Sequence, residues 1–189
     1  MDVLLTTFIA AALAEFGDKT QLLVIALAAR YRSAGAVLLG VAIAALLNSI
    51  LASAGGVLVT QMITLRALSL LVALALVFAG IAGLIPQTDE SEMGLSWKTS
   101  ALVTTATCFF LLEFADKTQF LTFALAAQYN SIGLAAAGAT AGVVAANAPA
   151  VLAAGGLAQL VPLAKIRLGL ATLFLLVGLI VGVNALRLV

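Results

Sequence analysis

The chain is expected to fold as an all-α membrane protein, with six transmembrane helices arranged as two inverted three-helix repeats. Three observations predict this: an excess of apolar residues, long stretches without charge, and one motif that occurs twice. Of 189 residues, 64% are hydrophobic and 9% are charged, against roughly 25% charged in soluble domains. A soluble domain of this length cannot hide that much apolar surface in one core.

Charge-free runs mark the spans in order. Ser33 to Leu65, Ala67 to Thr88 and Leu168 to Leu186 carry no charge, and Thr118 to Ala164 is uncharged over more than one span's length. Crossing the hydrocarbon takes roughly 20 apolar residues as a helix, and strands would need a period-2 alternation that is missing. The expected helices are 3–29, 35–59, 66–85, 99–127, 132–157 and 166–187. Between them, Arg30-Tyr31-Arg32-Ser33 reads as an interfacial turn and Pro86 to Lys98 as the one hydrophilic loop, with Trp97 beside Lys98 as an interfacial anchor. Gln128-Tyr129-Asn130-Ser131 is a polar turn, and Pro162, Lys165 and Arg167 mark the last connection. Ala12-Leu13-Ala14 resembles a signal-peptide cleavage site, but no Lys or Arg precedes the apolar stretch, so it reads as part of a mature first helix.

The composition also excludes functions. Net charge is +1 without a basic block, which speaks against a nucleic-acid partner. The single Cys108 and the absence of histidine remove disulfides, Cys/His zinc sites and imidazole base chemistry. No cofactor is expected.

The repeat is the most informative feature. Glu15-Phe16-Gly17-Asp18-Lys19-Thr20-Gln21 is matched by Glu113-Phe114-Ala115-Asp116-Lys117-Thr118-Gln119. The correspondence continues through Tyr31 and Tyr129, Ser33 and Ser131, Gly35 and Gly133, and Gly40 and Gly138. With short insertions it reaches Asn48 and Asn147, then Gly55-Gly56 and Gly155-Gly156. The domain organisation follows: a first repeat at 1–85, a hydrophilic loop at 86–98, and a second repeat at 99–189. Three helices per repeat is an odd number, so the second copy crosses in the opposite sense, as in many secondary transporters. Arg30, Arg32, Lys98, Lys165 and Arg167 on one side, against Arg66 and Arg187 on the other, place both termini outside the cytoplasm.

Both motifs fall near mid-membrane, where an unpaired carboxylate costs several kcal/mol. On continuous helices, Glu15, Asp18 and Lys19 would share one arc about 100° wide, as would Glu113, Asp116 and Lys117. Two facing arcs would hold four carboxylates and two ammonium groups, leaving two negative charges for one divalent cation. The donors are hard oxygens: Glu15, Asp18, Glu113 and Asp116, with Thr20, Thr118, Gln21, Gln119, Asn48 and Asn147. Such a set suits magnesium, calcium or manganese rather than zinc or copper. Lys19 and Lys117 balance charge. Gly138/Gly142 and Gly178/Gly182 have the spacing of helix-packing residues.

The doubled motif on two three-helix halves resembles the small Ca²⁺/Mn²⁺:H⁺ exchanger family with two E-x-G-D-K-T motifs (uncharacterised protein family 0016). Its members include bacterial manganese exporters and Golgi and chloroplast manganese/calcium transporters. The resemblance covers essentially the whole chain. It implies a cation site at Glu15, Asp18, Lys19 and Thr20 with Glu113, Asp116, Lys117 and Thr118. Ala115 departs from the family glycine, and if that glycine permits a local break in the helix, the second site is expected to be less open. The expected function is secondary transport of Mn²⁺ and/or Ca²⁺, exchanged for protons by alternating access, so the metal is cargo. Alternatives are an exporter of an organic cation or amino acid, or an intramembrane metal-dependent hydrolase. Expected partners are the metal ion, protons and the lipid bilayer, with a homo-oligomer compatible. Without a long N-terminal extension, the natural location is a bacterial inner membrane.

Overall fold

A computed structural model describes residues 1–86, 92–152 and 163–186. The described residues are helical, without strands: α1 (Asp2–Glu15), α2 (Lys19–Tyr31), α3 (Ala34–Thr60), α4 (Leu65–Leu84), α5 (Ala101–Glu113), α6 (Lys117–Tyr129), α7 (Ile132–Leu152) and α8 (Leu163–Leu186). Among them, α3, α4, α7 and α8 are long and apolar enough to cross a membrane. Gly155, Gly156, Pro162, Asp89, Glu90 and Arg187 lie outside the described residues.

The expected continuous helices at 3–29 and 99–127 are each interrupted, and both interruptions fall inside the repeated motif. Phe16 is extended (φ −63°, ψ 121°), Gly17 is left-handed (φ 79°), and Asp18 is extended again (φ −81°, ψ 162°). Phe114, Ala115 and Asp116 repeat this sequence of conformations, with Ala115 at φ 61°. A left-handed residue ends a helix because it turns the next N–H off the i−4 carbonyl. Glycine does so freely, whereas an L-residue pays roughly 1–2 kcal/mol. The second helix therefore breaks despite its alanine, because the groups around it supply the missing backbone partners. Asp18 and Asp116 donate their N–H groups to the carbonyls of Glu15 and Glu113, at 3.1 and 3.2 Å. The N–H of Gly17 is accepted by Gln21 Oε1 at 3.0 Å, and that of Ala115 by Gln119 Oε1.

The two turns at Arg30–Ser33 and Gln128–Ser131 fall as expected. Each helix ends on a left-handed residue, Arg32 or Asn130, at φ 50°. Polar N-caps start α4 and α5, where Thr64 and Ser100 accept the N–H groups of Ala67 and Val103. In the hydrophilic loop, Met93, Leu95 and Trp97 are partly buried against the core cluster that includes Leu27, Val41 and Phe109. Trp97, expected as an interfacial anchor, is thus half-buried, and its carbonyl accepts from Arg30 Nη2 at 2.9 Å.

The repeats interlock. α3 of the first repeat packs on α5 and α6 of the second, α7 of the second packs on α1 of the first, and α4 packs on α8. Close crossings are built at glycines. A Cβ on Gly40 would stand 2.8 Å from Thr105 Cβ, one on Gly138 would run into the Leu4 carbonyl and Thr7, and one on Gly142 would run into the Phe8 carbonyl. Gly178 likewise faces Val77. Small residues let backbones approach in this way, where lipid offers no hydrophobic drive for helix association.

Candidate cation site

The two breaks turn Glu15, Asp18, Glu113 and Lys117 inward. Glu15 ends α1 and Glu113 ends α5, while Asp18 and Asp116 precede α2 and α6 without capping them. An uncapped aspartate at a helix start keeps its carboxylate free for another partner. Interlocking then carries α1–α2 and α5–α6 against each other, so that oxygens of Glu15, Asp18 and Glu113 lie within 4.8 Å of one another. All three residues are buried.

Their surroundings supply donors unequally. Glu15 accepts from Thr118 at 2.6 Å and Thr20 at 3.2 Å, with Asn147 Nδ2 at 3.5 Å. Asp18 Oδ1 is ion-paired with Lys117 Nζ at 2.6 Å, and Lys117 also reaches Asp116 Oδ2 at 3.1 Å. Glu113 Oε1, Asp18 Oδ2, Asn48 Oδ1 and Asn147 Oδ1 are buried without a donor. Four acceptor oxygens without hydrogens facing them are an arrangement that a cation satisfies and that a folded protein otherwise avoids.

The sequence-derived candidates separate into groups. Glu15, Asp18, Glu113, Thr20, Thr118, Asn147 and Asn48 surround the cluster or have an atom bonded to it or left open beside it. Gln21 and Gln119 serve as latches: each accepts the N–H of its break and donates Nε2 to a carbonyl of the other repeat, Ala146 at 3.0 Å and Asn48 at 3.3 Å. Asp116 is outside the cluster, with its side chain 22% exposed. Lys117 is buried, whereas Lys19 is half-buried and makes no ion pair among the described residues. The two facing arcs expected on continuous helices are therefore not formed. The break separates Glu from Asp and Lys, and the acids meet around a non-helical turn.

A cavity of about 20 Å³ adjoins Glu113, lined in part by Asn48, Ser49, Thr118, Gln119 and Thr122. That is room for a single water-sized occupant. Ser49 and Thr122 did not stand out in the sequence, because the residues at the matching places of the other repeat, Ala148 and Val24, are apolar. The available signal was Thr122 standing one helical turn beyond Thr118.

Comparison with known proteins decides the family. Over residues 3–91 and 101–188 the chain matches the family described as "Divalent cation/proton antiporter GDT1". The chain belongs to this family. A relative from Vibrio cholerae serotype O1 bears the description "Putative manganese exporter" and is 39% identical over 182 residues, covering 95% of this chain and 90% of that protein. No solved structure matches the chain. The chain is accordingly a multi-pass membrane protein and a divalent cation transporter.

Proposed function

We propose that the chain exchanges Mn²⁺, with Ca²⁺ as a competing cargo, for protons at the cluster of Glu15, Asp18 and Glu113. The observation that carries this reading is the grouping of three buried carboxylates, one of them ion-paired with the buried Lys117, with four acceptor oxygens lacking donors. Leaving aside the partly exposed Asp116, which also reaches Lys117, the three buried carboxylates against one ammonium leave two negative charges, which one divalent cation or two protons would neutralise. Glu15, Asp18 and Glu113 would be the charged ligands, Asn48 and Asn147 would add amide oxygens, and Thr20 and Thr118 would orient Glu15. An all-oxygen set is the chemistry of manganese and calcium. The Vibrio cholerae relative's description favours manganese, and the 20 Å³ cavity suits a bare ion better than an organic cation or amino acid.

The same reading gives six crossings. α1 with α2, and α5 with α6, would each complete one span around its break, alongside α3, α4, α7 and α8. Broken helices at mid-membrane expose half-helix ends to an ion; the irregular backbone is buried around Gly17 and Asp18, while around the exposed Ala115 its N–H groups are accepted by the Glu113 carbonyl and Gln119 Oε1. The repeats would be inverted, with both termini outside the cytoplasm of a bacterial inner membrane.

Metal flux into proteoliposomes, with and without an imposed pH gradient, tests the function. Gradient-driven Mn²⁺ flux that is lost in Glu15→Gln and in Glu113→Gln is expected. Flux that survives in either folded variant, or that ignores the gradient, would overturn the exchange reading.

A further inference from the structure

The two motif lysines occupy equivalent places in the repeat and unequal places in the fold. Lys117 belongs to the second break yet bridges acids of both, 2.6 Å from Asp18 Oδ1 and 3.1 Å from Asp116 Oδ2, with its side chain 5% exposed. Lys19 stands half-buried with no ion pair among the described residues. An inverted repeat would allow Lys19 the same bridge, from Asp116 to Asp18. In the conformation described here Lys117 alone holds that bridge, and Lys19 has no carboxylate at ion-pair distance among the described residues.

Helix packing carries the same inequality independently. α6 lies along α4, with Phe120 edge-on to Phe78 at 5.6 Å between ring centroids. The equivalent helices α2 and α8 have no comparable packing among the described residues. Leu22, which holds the place of Phe120 in the first repeat, is exposed. The break whose lysine bridges the acids is thus the one whose second half-helix is packed down.

We propose that the two lysines are alternating tethered counter-ions. Lys117 holds the conformation described here, with α6 on α4, and Lys19 takes over the bridge in the opposite-facing conformation, with α2 on α8. The proposal rests on the reading of the chain as an alternating-access exchanger. Both lysines act through Asp18 and Asp116 and are positioning residues. A divalent cation entering the cluster competes with Lys117 for Asp18, so loading loosens the bridge that holds one conformation. In the unloaded protein a tethered ammonium keeps the acids partly neutralised while the helices exchange packing.

The test is a distance measurement on the full chain in lipid vesicles without metal. Nitroxide labels go on Leu22→Cys in α2 and Leu179→Cys in α8, in a Cys108→Ala background. Leu179 stands twelve residues beyond Arg167, as Phe78 stands twelve beyond Arg66, and both labelled positions are exposed. Pulsed electron-spin resonance should find mainly the separated α2–α8 arrangement. Lys117→Gln should raise the close population several-fold, Lys19→Gln should lower it, and Lys117→Arg should restore the original distribution. Shifts of the same sign, or none in the folded variants, would overturn the proposal. If Lys117→Gln does not fold, Lys19→Gln decides alone: a depleted close population supports the exchange of bridges, and an unchanged one overturns it. The readout is conformational, so it separates from transport. Intact flux without opposite shifts defeats this proposal only, while opposite shifts without metal flux defeat the exchange of Mn²⁺ or Ca²⁺ for protons and leave alternating access, and the lysine exchange with it, standing.

Discussion

The first and second breaks differ at one residue of seven, Gly17 against Ala115, yet the fold gives them different tasks. At the first break Gly17 and Asp18 are buried, and Glu15 accepts from Thr20 and Thr118. At the second, Phe114 and Ala115 are exposed, Asp116 is partly exposed, and Glu113 Oε1 has no donor. Identical side chains acquire different roles because the helices packed around them are not placed symmetrically. The first break supplies an acid already held in place, and the second supplies an open acid and the ammonium.

Neutralising the two glutamates should break the comparison most severely. Glu15→Gln and Glu113→Gln are both expected to reduce Mn²⁺ flux to background, but their stabilities should part. Glu113→Gln removes a buried charge without a hydrogen-bond donor and should leave thermal stability equal or higher. Glu15→Gln weakens a charge-assisted acceptor of Thr118 and should cost about 1–3 kcal/mol in detergent unfolding. Equal losses in both would show that the two acids share one environment.

Thr118 reaches across repeats to Glu15 at 2.6 Å, whereas Thr20 reaches its own repeat's glutamate at 3.2 Å. With Glu15 as a ligand of the proposed site, groups that orient it in this way would be worth about 10–100-fold in metal affinity. Thr118→Val should therefore weaken apparent Mn²⁺ affinity by about that factor, and Thr20→Val by less, as read by titrating flux against external metal. A larger effect at Thr20 would reverse the assignment of the better-held contact.

Packing glycines give a symmetric control. Gly40 and Gly138 each face backbone and threonine of the other repeat, whereas a methyl group added at Gly35 or Gly133 would meet nothing within 4 Å. Overpacking costs about 1–3 kcal/mol, so Gly40→Ala and Gly138→Ala should both destabilise by that order while Gly35→Ala and Gly133→Ala stay close to neutral. The smallest effect is expected at the breaks. Ala115→Gly should relieve about 1 kcal/mol of left-handed strain and Gly17→Ala should add a similar amount, measured as opposite shifts in unfolding temperature. Shifts of the same sign would mean that the two turns do not share a backbone conformation.

Much of this was legible in the chain. Charge-free runs located α3, α4, α7 and α8 to within a few residues at their described ends, because lipid selects against charge over a fixed thickness. Repetition of the motif singled out Glu15, Asp18 and Glu113, which the fold brings together, and equally Asp116, which it does not, because acids placed among apolar residues need a reason to be there. The breaks were not legible as breaks. Glu, Phe and Lys are all admitted in helices and Ala115 is a good helix former, so residue propensity does not mark a break at the second motif. Only Gly17 hinted at the interruption, and it did so in one copy.

By itself, then, the sequence determined an apolar helical chain, its internal duplication, and an oxygen-only set of donors, since these follow from residue chemistry and spacing alone. Tertiary structure decided which acids meet, which lysine is buried, and that Gln21 and Gln119 latch the turns across repeats. Those outcomes depend on how α3 and α7 cross into the opposite repeat. A sequence repeated in two places carries no information about which copy will be held closed, because the difference lies in the packing around it and not in its own side chains.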